Sequence, residues 1–356
     1  MVVRRVTLAD FRSYAALELD LVSGLVLVTG PNGVGKTNLL EALHVGSQGF
    51  SPRSRADAQL VRFGTSAGRV SLAGDEAGSP VATEVTITPG QPKRATLNGA
   101  ALPSVETLRT RLSALVFVPD RLAVVKGGPI VRRAYVDRML GRLVPARADL
   151  PGTYGQALAQ RNEALRRVRA GATGRDAVTP WTERIATLGA ELDEVRATLL
   201  AELAPGFAEH AATLGLAAAT LGYAPDPTTV AALEARFDRD LARGTTSLGP
   251  HLRDVAIESA GRDLRSFGSQ GEQRSAVLSL VLAEADLTAA RRGAAPLLLL
   301  DDVLSELDES RRAALLGSLP DAAQTIVTAT GRDALPRGGP EPALVIEVTP
   351  GEARAA

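Results

Sequence analysis

Residues 30–37 read Gly30-Pro31-Asn32-Gly33-Val34-Gly35-Lys36-Thr37, a G-x4-G-K-T loop close to the start of the chain. This loop constrains the fold more than any other feature, because it functions only where a strand runs into it and a helix runs out of it. Both flanks comply. Residues 25–29 form a short apolar, β-prone run, and residues 38–45 carry Leu39, Leu40 and Leu43 at helical spacing. Gly30, Gly33 and Gly35 permit backbone conformations and close approaches that a Cβ would block. The freed N–H groups, with the N-terminus of the following helix, cradle phosphate oxygens. Lys36 brings a point charge to the β- and γ-phosphates, and the Thr37 hydroxyl is placed to ligate Mg²⁺. A chance glycine turn would lack this strand-loop-helix context.

The acidic partner of the loop arrives near the other end of the chain. Residues 297–300 are four consecutive leucines, followed by Asp301 and Asp302. Such a run predicts a buried strand with Asp301 at its C-terminal tip, where α/β sheets bind their ligands. Asp301 would hold Mg²⁺ directly or through water. Asp302, one step on, points elsewhere and is placed to polarise an attacking water. A buried strand ending in an acidic turn is the plainer alternative, and the glycine loop weighs against it. A compact P-loop enzyme meets its second motif much sooner. Here two distant ends must close one site, with everything between them inserted.

The intervening pattern divides the chain into three stretches. Residues 1–130 hold the loop and a set of β-like runs at 2–8, 69–72, 83–88, 94–97 and 115–118. Asn98-Gly99 and other turn residues punctuate them, which predicts an antiparallel sheet with hairpins. Residues 131–245 read as mostly helical. A helix over 156–169 is separated by Gly171–Gly174 and Pro180 from a second, on which Ile185, Leu188, Leu192, Val195 and Leu199 draw one apolar stripe. Residues 246–356 return to alternation, with strands at 255–259, 297–300, 324–328 and 344–348 and a helix over 273–290 that is apolar nearly all round. The fold class is therefore α/β: a P-loop nucleotide core interrupted by an inserted helical lobe.

Composition excludes several function classes. The absence of cysteine rules out disulfides and thiolate metal sites, and His44, His210 and His251 show no ligand spacing. No apolar run approaches the length needed to cross a bilayer, so the cytoplasm is the expected location. Forty basic residues offset forty acidic ones, so any contact with nucleic acid must be local. Lysine occurs only at 36, 93 and 126, and arginine supplies the rest of the positive charge. Arg132, Arg133, Arg138 and Arg142 crowd one helical stretch and Arg161, Arg166, Arg167 and Arg169 another. Each reads first as a solvated helix face and second as a phosphate contact. With aromatics at only 3% and no stacking motif, base stacking is not an expected binding mode.

A third element, Phe267-Gly-Ser-Gln-Gly-Glu-Gln-Arg274, combines capping-box spacing between Ser269 and Glu272 with an apolar helix directly after it. Capping alone accounts for it. A capped helix N-terminus with Gly271 can also receive an anion on its free N–H groups.

Taken in order, these motifs resemble the ABC-type ATPases of the SMC class: an early Walker A loop, an S-x-G-E/Q signature, a late Walker B, and Ser305-Glu-Leu-Asp308 after it. Within that class the chain is similar to the RecF family of bacterial recombination mediators. Leu8-Ala-Asp-Phe-Arg-Ser-Tyr14, Val116-Phe-Val-Pro-Asp-Arg-Leu122, Lys126-Gly-Gly-Pro129, Arg132-Arg-Ala-Tyr-Val-Asp137 and Gly249-Pro-His251 carry that closer resemblance, over roughly residues 2–331. The resemblance implies that residues 30–37 bind ATP and that Thr37 and Asp301 hold Mg²⁺. Asp302 takes the place of the catalytic carboxylate, beside Lys36. Ser269 and Gly271 would contact the γ-phosphate held by a second copy, and Ser305–Asp308 would lie beside that phosphate across the dimer. It further implies a weak, DNA-stimulated ATPase acting at single-strand gaps in DNA repair, replication and the SOS response. RecR, RecO and RecA are its implied partners.

Two departures from the class stand out. Where many ABC ATPases carry a switch histidine, this chain has Thr328-Ala-Thr330, which predicts slow hydrolysis. Gln48 stands close behind the loop for a Mg²⁺-sensing glutamine and reads instead as a surface or turn residue. Two other readings use the same loop: the ATPase subunit of an ABC transporter, and a metabolic kinase. The missing histidine and the long helical insertion weigh against the first, and nothing in the signature predicts the small-substrate pocket of the second.

Overall fold

The computed structural model describes residues 1–54, 56–305, 307–320 and 323–356. Two compact units emerge, one made of Met1–Ala123, Gly206–Ala219 and Gly268–Ala356, the other of Val124–Pro205 and Thr220–Phe267.

The first unit contains two six-stranded sheets. Its strands begin with β1 (Val2–Phe11), β2 (Tyr14–Asp20) and β3 (Leu25–Thr29). They continue as β4 (Gly68–Glu76), β5 (Ser79–Ile87), β6 (Arg94–Leu97), β7 (Ala100–Ala101) and β8 (Ala114–Phe117). One sheet, ordered β2-β1-β4-β5-β6-β7, is antiparallel throughout and carries the hairpin that Asn98-Gly99 predicts. Along β1, buried Val6 and Leu8 alternate with exposed residues, while Arg4 and Arg5 are both exposed because the pairing with β4 shifts register between Val3 and Arg5.

After β9 (Ala219–Tyr223), β10 (Val255–Ser259) and β11 (Arg262–Asp263), the chain adds β12 (Leu297–Leu300), β13 (Thr325–Ala329), β14 (Leu344–Thr349) and β15 (Glu352–Ala355). The second sheet of the first unit runs β15-β14-β3-β13-β12-β8 and is parallel except at β15. Every residue of β12 and β13 is buried, as expected of central parallel strands with both faces covered. The register sets Leu27 beside Val327 and Val327 beside Leu300, so β3, β13 and β12 finish at the same sheet edge. Loop 30–35, Asp301 and Thr328 are thereby gathered from three remote parts of the chain.

Helix α1 (Lys36–Gln48) follows the loop and buries Leu39, Leu40 and Leu43 in one apolar core with Val26 and Val28 of β3, Leu297 and Leu299 of β12, and Val70 and Leu72 of β4. Packing against β4 is close enough that a Cβ on Gly46 would meet the Leu72 Cγ at 2.6 Å. Burial of these side chains contributes roughly 1.5–3 kcal/mol each, which fixes the helix behind the loop.

The second unit is helical, with a small sheet. Its main helices are Pro129–Leu143, Leu150–Arg169 and the part of Thr179–Thr213 up to Pro205, joined by the shorter Val230–Glu234 and Phe237–Arg243. The stripe Ile185, Leu188, Leu192 and Leu199 is buried, with Val195 half-buried beside it. A three-stranded sheet, β11-β10-β9, interrupts what periodicity reads as helix: β9 falls inside the stretch expected to be helical.

The solvated-face reading of the arginine clusters requires correction. Arg161 is wholly buried, donating to Asp240 at 2.8 Å, Thr246 at 2.8 Å and Thr182 at 3.0 Å. Arg132 is buried against Asp254 and Arg142 is buried as well. A buried guanidinium requires a carboxylate or carbonyls around it, and here the carboxylates come from residues about a hundred positions away. Arg166, Arg167 and Arg169 are exposed, as expected.

Candidate nucleotide site

Loop 30–35 owes its shape to glycine at two points. Gly30 has φ +148 and a Cβ there would lie 2.6 Å from the Val348 carbonyl oxygen. Gly35 has φ +123 and sits against Tyr14, whose hydroxyl donates to the Gly35 carbonyl at 3.1 Å. Burial pushes the Tyr14 phenol up to about 12, so it stays a neutral donor. Lys36 turns back over the loop, donating to the carbonyls of Gly30 at 2.6 Å and Pro31 at 2.9 Å. Burial lowers its pKa, and Asp302 and Asp301 work against that shift.

A cavity of about 340 Å³ opens beside this loop, lined by Asn32, Gly33, Gly35, Lys36, Thr37, Asn38, Arg53, Asp301, Asp302 and Thr328. The two distant ends of the chain meet directly here. Thr37 Oγ1 lies 3.0 Å from Asp301 Oδ1 and 2.9 Å from Oδ2, and Thr328 Oγ1 donates to Oδ1 at 2.8 Å. Burial raises the Asp301 pKa, while hydrogen bonds from Thr328 and Thr37 and the charge of Arg53 hold it down.

Asp302 departs from the orientation expected of it. Strand alternation would turn it away from Asp301, yet both carboxylates line the cavity. The strand has ended by this point: Asp302 adopts a left-handed backbone with φ +50, anchored by its N–H donating to Thr328 Oγ1 at 2.8 Å. A non-glycine residue held there is an uncommon conformation.

A hydroxyl and two carboxylates gathered beside a phosphate loop are hard oxygen donors. That set suits Mg²⁺, which takes one or two carboxylates and leaves its other positions to phosphate and water. Thr37 and Asp301 would hold such an ion; bound, it would neutralise phosphate charge. Among the described residues no cluster of three or more His, Cys, Asp or Glu side chains forms an all-protein cage.

Ser269 and Gly271 are not part of this cavity. Ser269 caps the helix Gln270–Arg292 in a complete capping box: its Oγ accepts from the Glu272 N–H at 3.3 Å, and Glu272 Oε2 accepts from the Ser269 N–H at 2.8 Å. Ser269 is exposed and Gly271 half-buried. Asp308 likewise caps the helix Glu309–Gly317 through the Arg311 N–H at 2.9 Å, and Ser305 Oγ donates to the Asp302 carbonyl. Glu306 lies outside the described residues.

The surface or turn reading of Gln48 is corrected. It is buried in the last turn of α1, its amide donating to the Leu112 carbonyl at 3.1 Å, and it does not line the cavity. Sequence reasoning also missed two lining residues. Asn38 directly follows the loop, and its position was the available signal. Arg53 lies in a stretch with no periodicity, and nothing marked it. A second cavity of about 570 Å³ shares Asn38 with the first and is lined by Arg12, Ser13, Gln59, Arg62, Phe63 and others, with Phe63 fully exposed.

The shared edge of the parallel sheet, the phosphate loop and the facing carboxylates define a P-loop nucleotide-binding core. The family model described as the RecF/RecN/SMC N-terminal domain matches residues 2–339. Proteins named DNA replication and repair protein RecF are similar throughout. That of Heliobacterium modesticaldum is 36% identical, covering 93% of this chain and 92% of its own, and that of Myxococcus xanthus is 38% identical, covering 92% and 90%. The solved structure of the recombination mediator protein RecF-ATP in the RecFOR pathway superposes with a TM-score of 0.87 at 25% identity, covering 99% of this chain and 97% of that one. The head of Smc bound to the C-winged helix domain of ScpA shares the fold, with a TM-score of 0.62 at 17% identity over 100% of this chain and 97% of that one. This chain belongs to the RecF family.

Proposed function

We propose that this chain is an ATP-dependent DNA-binding protein of recombinational repair, in which MgATP joins two copies around DNA near a single-strand gap. The observation that carries the nucleotide reading is the Thr37 hydroxyl placed on both oxygens of Asp301 beside the phosphate loop. In this reading the triphosphate lies along residues 30–37, with Thr37 and Asp301 at Mg²⁺, Lys36 at the terminal phosphates and Asp302 orienting the attacking water. The adjoining cavity, with its exposed Phe63 and the Arg12 and Arg62 side chains, takes the nucleoside end.

Ser269 and Gly271 complete the site of a second copy, which fits an exposed, capped helix N-terminus that stands apart from the chain's own cavity. Hydrolysis is slow and serves dimerisation. The stretch Thr328-Ala-Thr330 offers no imidazole, and the Thr328 hydroxyl is already committed to Asp301 and to the Asp302 N–H. By family, the protein works in the cytoplasm with RecR and RecO to load RecA. The transporter reading is not favoured, since the matched relatives are repair proteins, and no helix among the described residues is long and apolar enough to cross a membrane.

Sedimentation with ATP, ADP and gapped DNA in all combinations tests the proposal. The expected result is a dimer with ATP that persists on DNA, and a Ser269→Arg variant that binds ATP yet stays monomeric. Unchanged ATP-induced dimers in that variant would sink the two-copy site.

A further inference from the structure

The two cavities at the loop share more than Asn38. Arg12 lines the larger and Arg53 the smaller, and both arginines face one carboxylate, that of Glu41 on α1. Glu41 is wholly buried, and its four contacts are unequal. Arg12 engages it bidentately, Nε to Oε2 and a terminal nitrogen to Oε1, both at 2.8 Å. Ser51 Oγ donates to Oε1 at 2.5 Å. Arg53 stands off at 3.6 Å from Oε2, within Coulomb range and beyond a hydrogen bond. The carboxylate is thus satisfied without Arg53, whose guanidinium donates instead to the Asn38 side-chain oxygen at 3.4 Å.

Ser51 adds a mechanical link. The same Oγ that donates to Glu41 accepts from the Arg53 N–H at 3.0 Å and the Ser54 N–H at 2.8 Å. Glu41 therefore fixes, through Ser51, the backbone turn from which Arg53 departs, and draws the Arg53 charge towards the cavity rim without tying up its donors. A guanidinium held this way keeps its planar fork free for an oxyanion.

We infer that Glu41 is a positioning residue for nucleotide binding: it holds Arg53 poised over the phosphate cavity, and Arg53 moves from Glu41 to the phosphates when ATP enters. This rests on the ATP reading of the site.

Calorimetric titration of the full chain with ATP at fixed Mg²⁺ tests the inference through a double-mutant cycle. Arg53→Ala and Glu41→Gln should each weaken ATP binding about tenfold, one charge-assisted contact in each case. The double variant should fall within about twofold of Arg53→Ala alone. Ser51→Ala, which leaves both charges in place, should weaken binding by a smaller factor that vanishes in the Arg53→Ala background. It guards the test against a Glu41 variant that fails to fold. Losses that multiply, or an Arg53→Ala variant with unchanged affinity, would overturn the inference while leaving the ATP reading intact. No ATP binding by the unsubstituted chain would remove the reading, and the inference with it.

Discussion

Thr328 holds the acidic end of the site in two ways, and Thr328→Val removes both at nearly constant shape. The hydroxyl donates to Asp301 Oδ1 and accepts from the Asp302 N–H, each at 2.8 Å, and the side chain is buried. A hydrogen bond to an ionised group contributes about 1.5–3 kcal/mol. Orphaning the Asp302 N–H costs about 1 kcal/mol, the low end of the range because Asp302 is only partly buried. The first contribution depends on the charge of Asp301 and the second does not. At pH 8 the nucleotide-free variant should therefore be about 3 kcal/mol less stable than the unsubstituted chain, and below the ordinary carboxylate range about 1 kcal/mol less.

The sign follows from burial. The Asp301 pKa is raised in the folded chain, so its ionisation works against folding: that stability is full below the unfolded carboxylate value and is lost as pH rises through the folded one. Thr328 now restrains the rise, and Val removes the restraint, so the deficit of the variant should grow with pH above the ordinary carboxylate range and then level off. Urea denaturation at a series of pH values measures it, with an unchanged slope expected because the exposed surface is the same. In an Asp301→Asn background the pH-dependent part should disappear. A deficit that is flat with pH, or one whose pH dependence survives Asp301→Asn, would refute the argument.

Lys36→Arg should retain ATP binding but lose turnover, because the charge remains while a planar guanidinium cannot reproduce the lysine's position over the Gly30 and Pro31 carbonyls; single-turnover hydrolysis beside equilibrium binding separates the two. Asp240→Asn strands the Arg161 charge in the second unit and should cost about 3–5 kcal/mol in denaturant unfolding, whereas replacing Arg161 and Asp240 together by apolar residues should cost far less. If phosphate contacts hold the DNA, its affinity should fall steeply between low and moderate salt in a gel-shift series.

Elements with periodic or compositional signatures were legible in the sequence, and those defined by partners were not. The loop, α1 and the leucine strand β12 announce themselves locally, and the placement of loop and carboxylate on one sheet edge follows from the rule that parallel strands present ligands at their C-terminal ends. Arg132, Arg142 and Arg161 were misread because a helix shows its own charges but not the remote acids that accompany some of them indoors: Asp254 reaches Arg132 and Asp240 reaches Arg161 only in three dimensions. The amide of Gln48 likewise finds its Leu112 carbonyl only through tertiary packing.

Asp302 marks the sharpest limit. Period-two alternation is a property of extended backbone, and it ceases where the backbone leaves that region. At Leu300 the strand ends, and two residues later, at Asp302, φ is +50. The conformation is held by Thr328, a residue of the neighbouring strand that nothing in the local sequence connects with Asp302. The Thr328 hydroxyl thus anchors the turn that brings the second carboxylate round to face the first. A Thr328→His variant should therefore not act as a simple gain of a catalytic group. It should release Asp302 from its left-handed turn, so that turnover rises only if the imidazole can also take the Asp302 N–H.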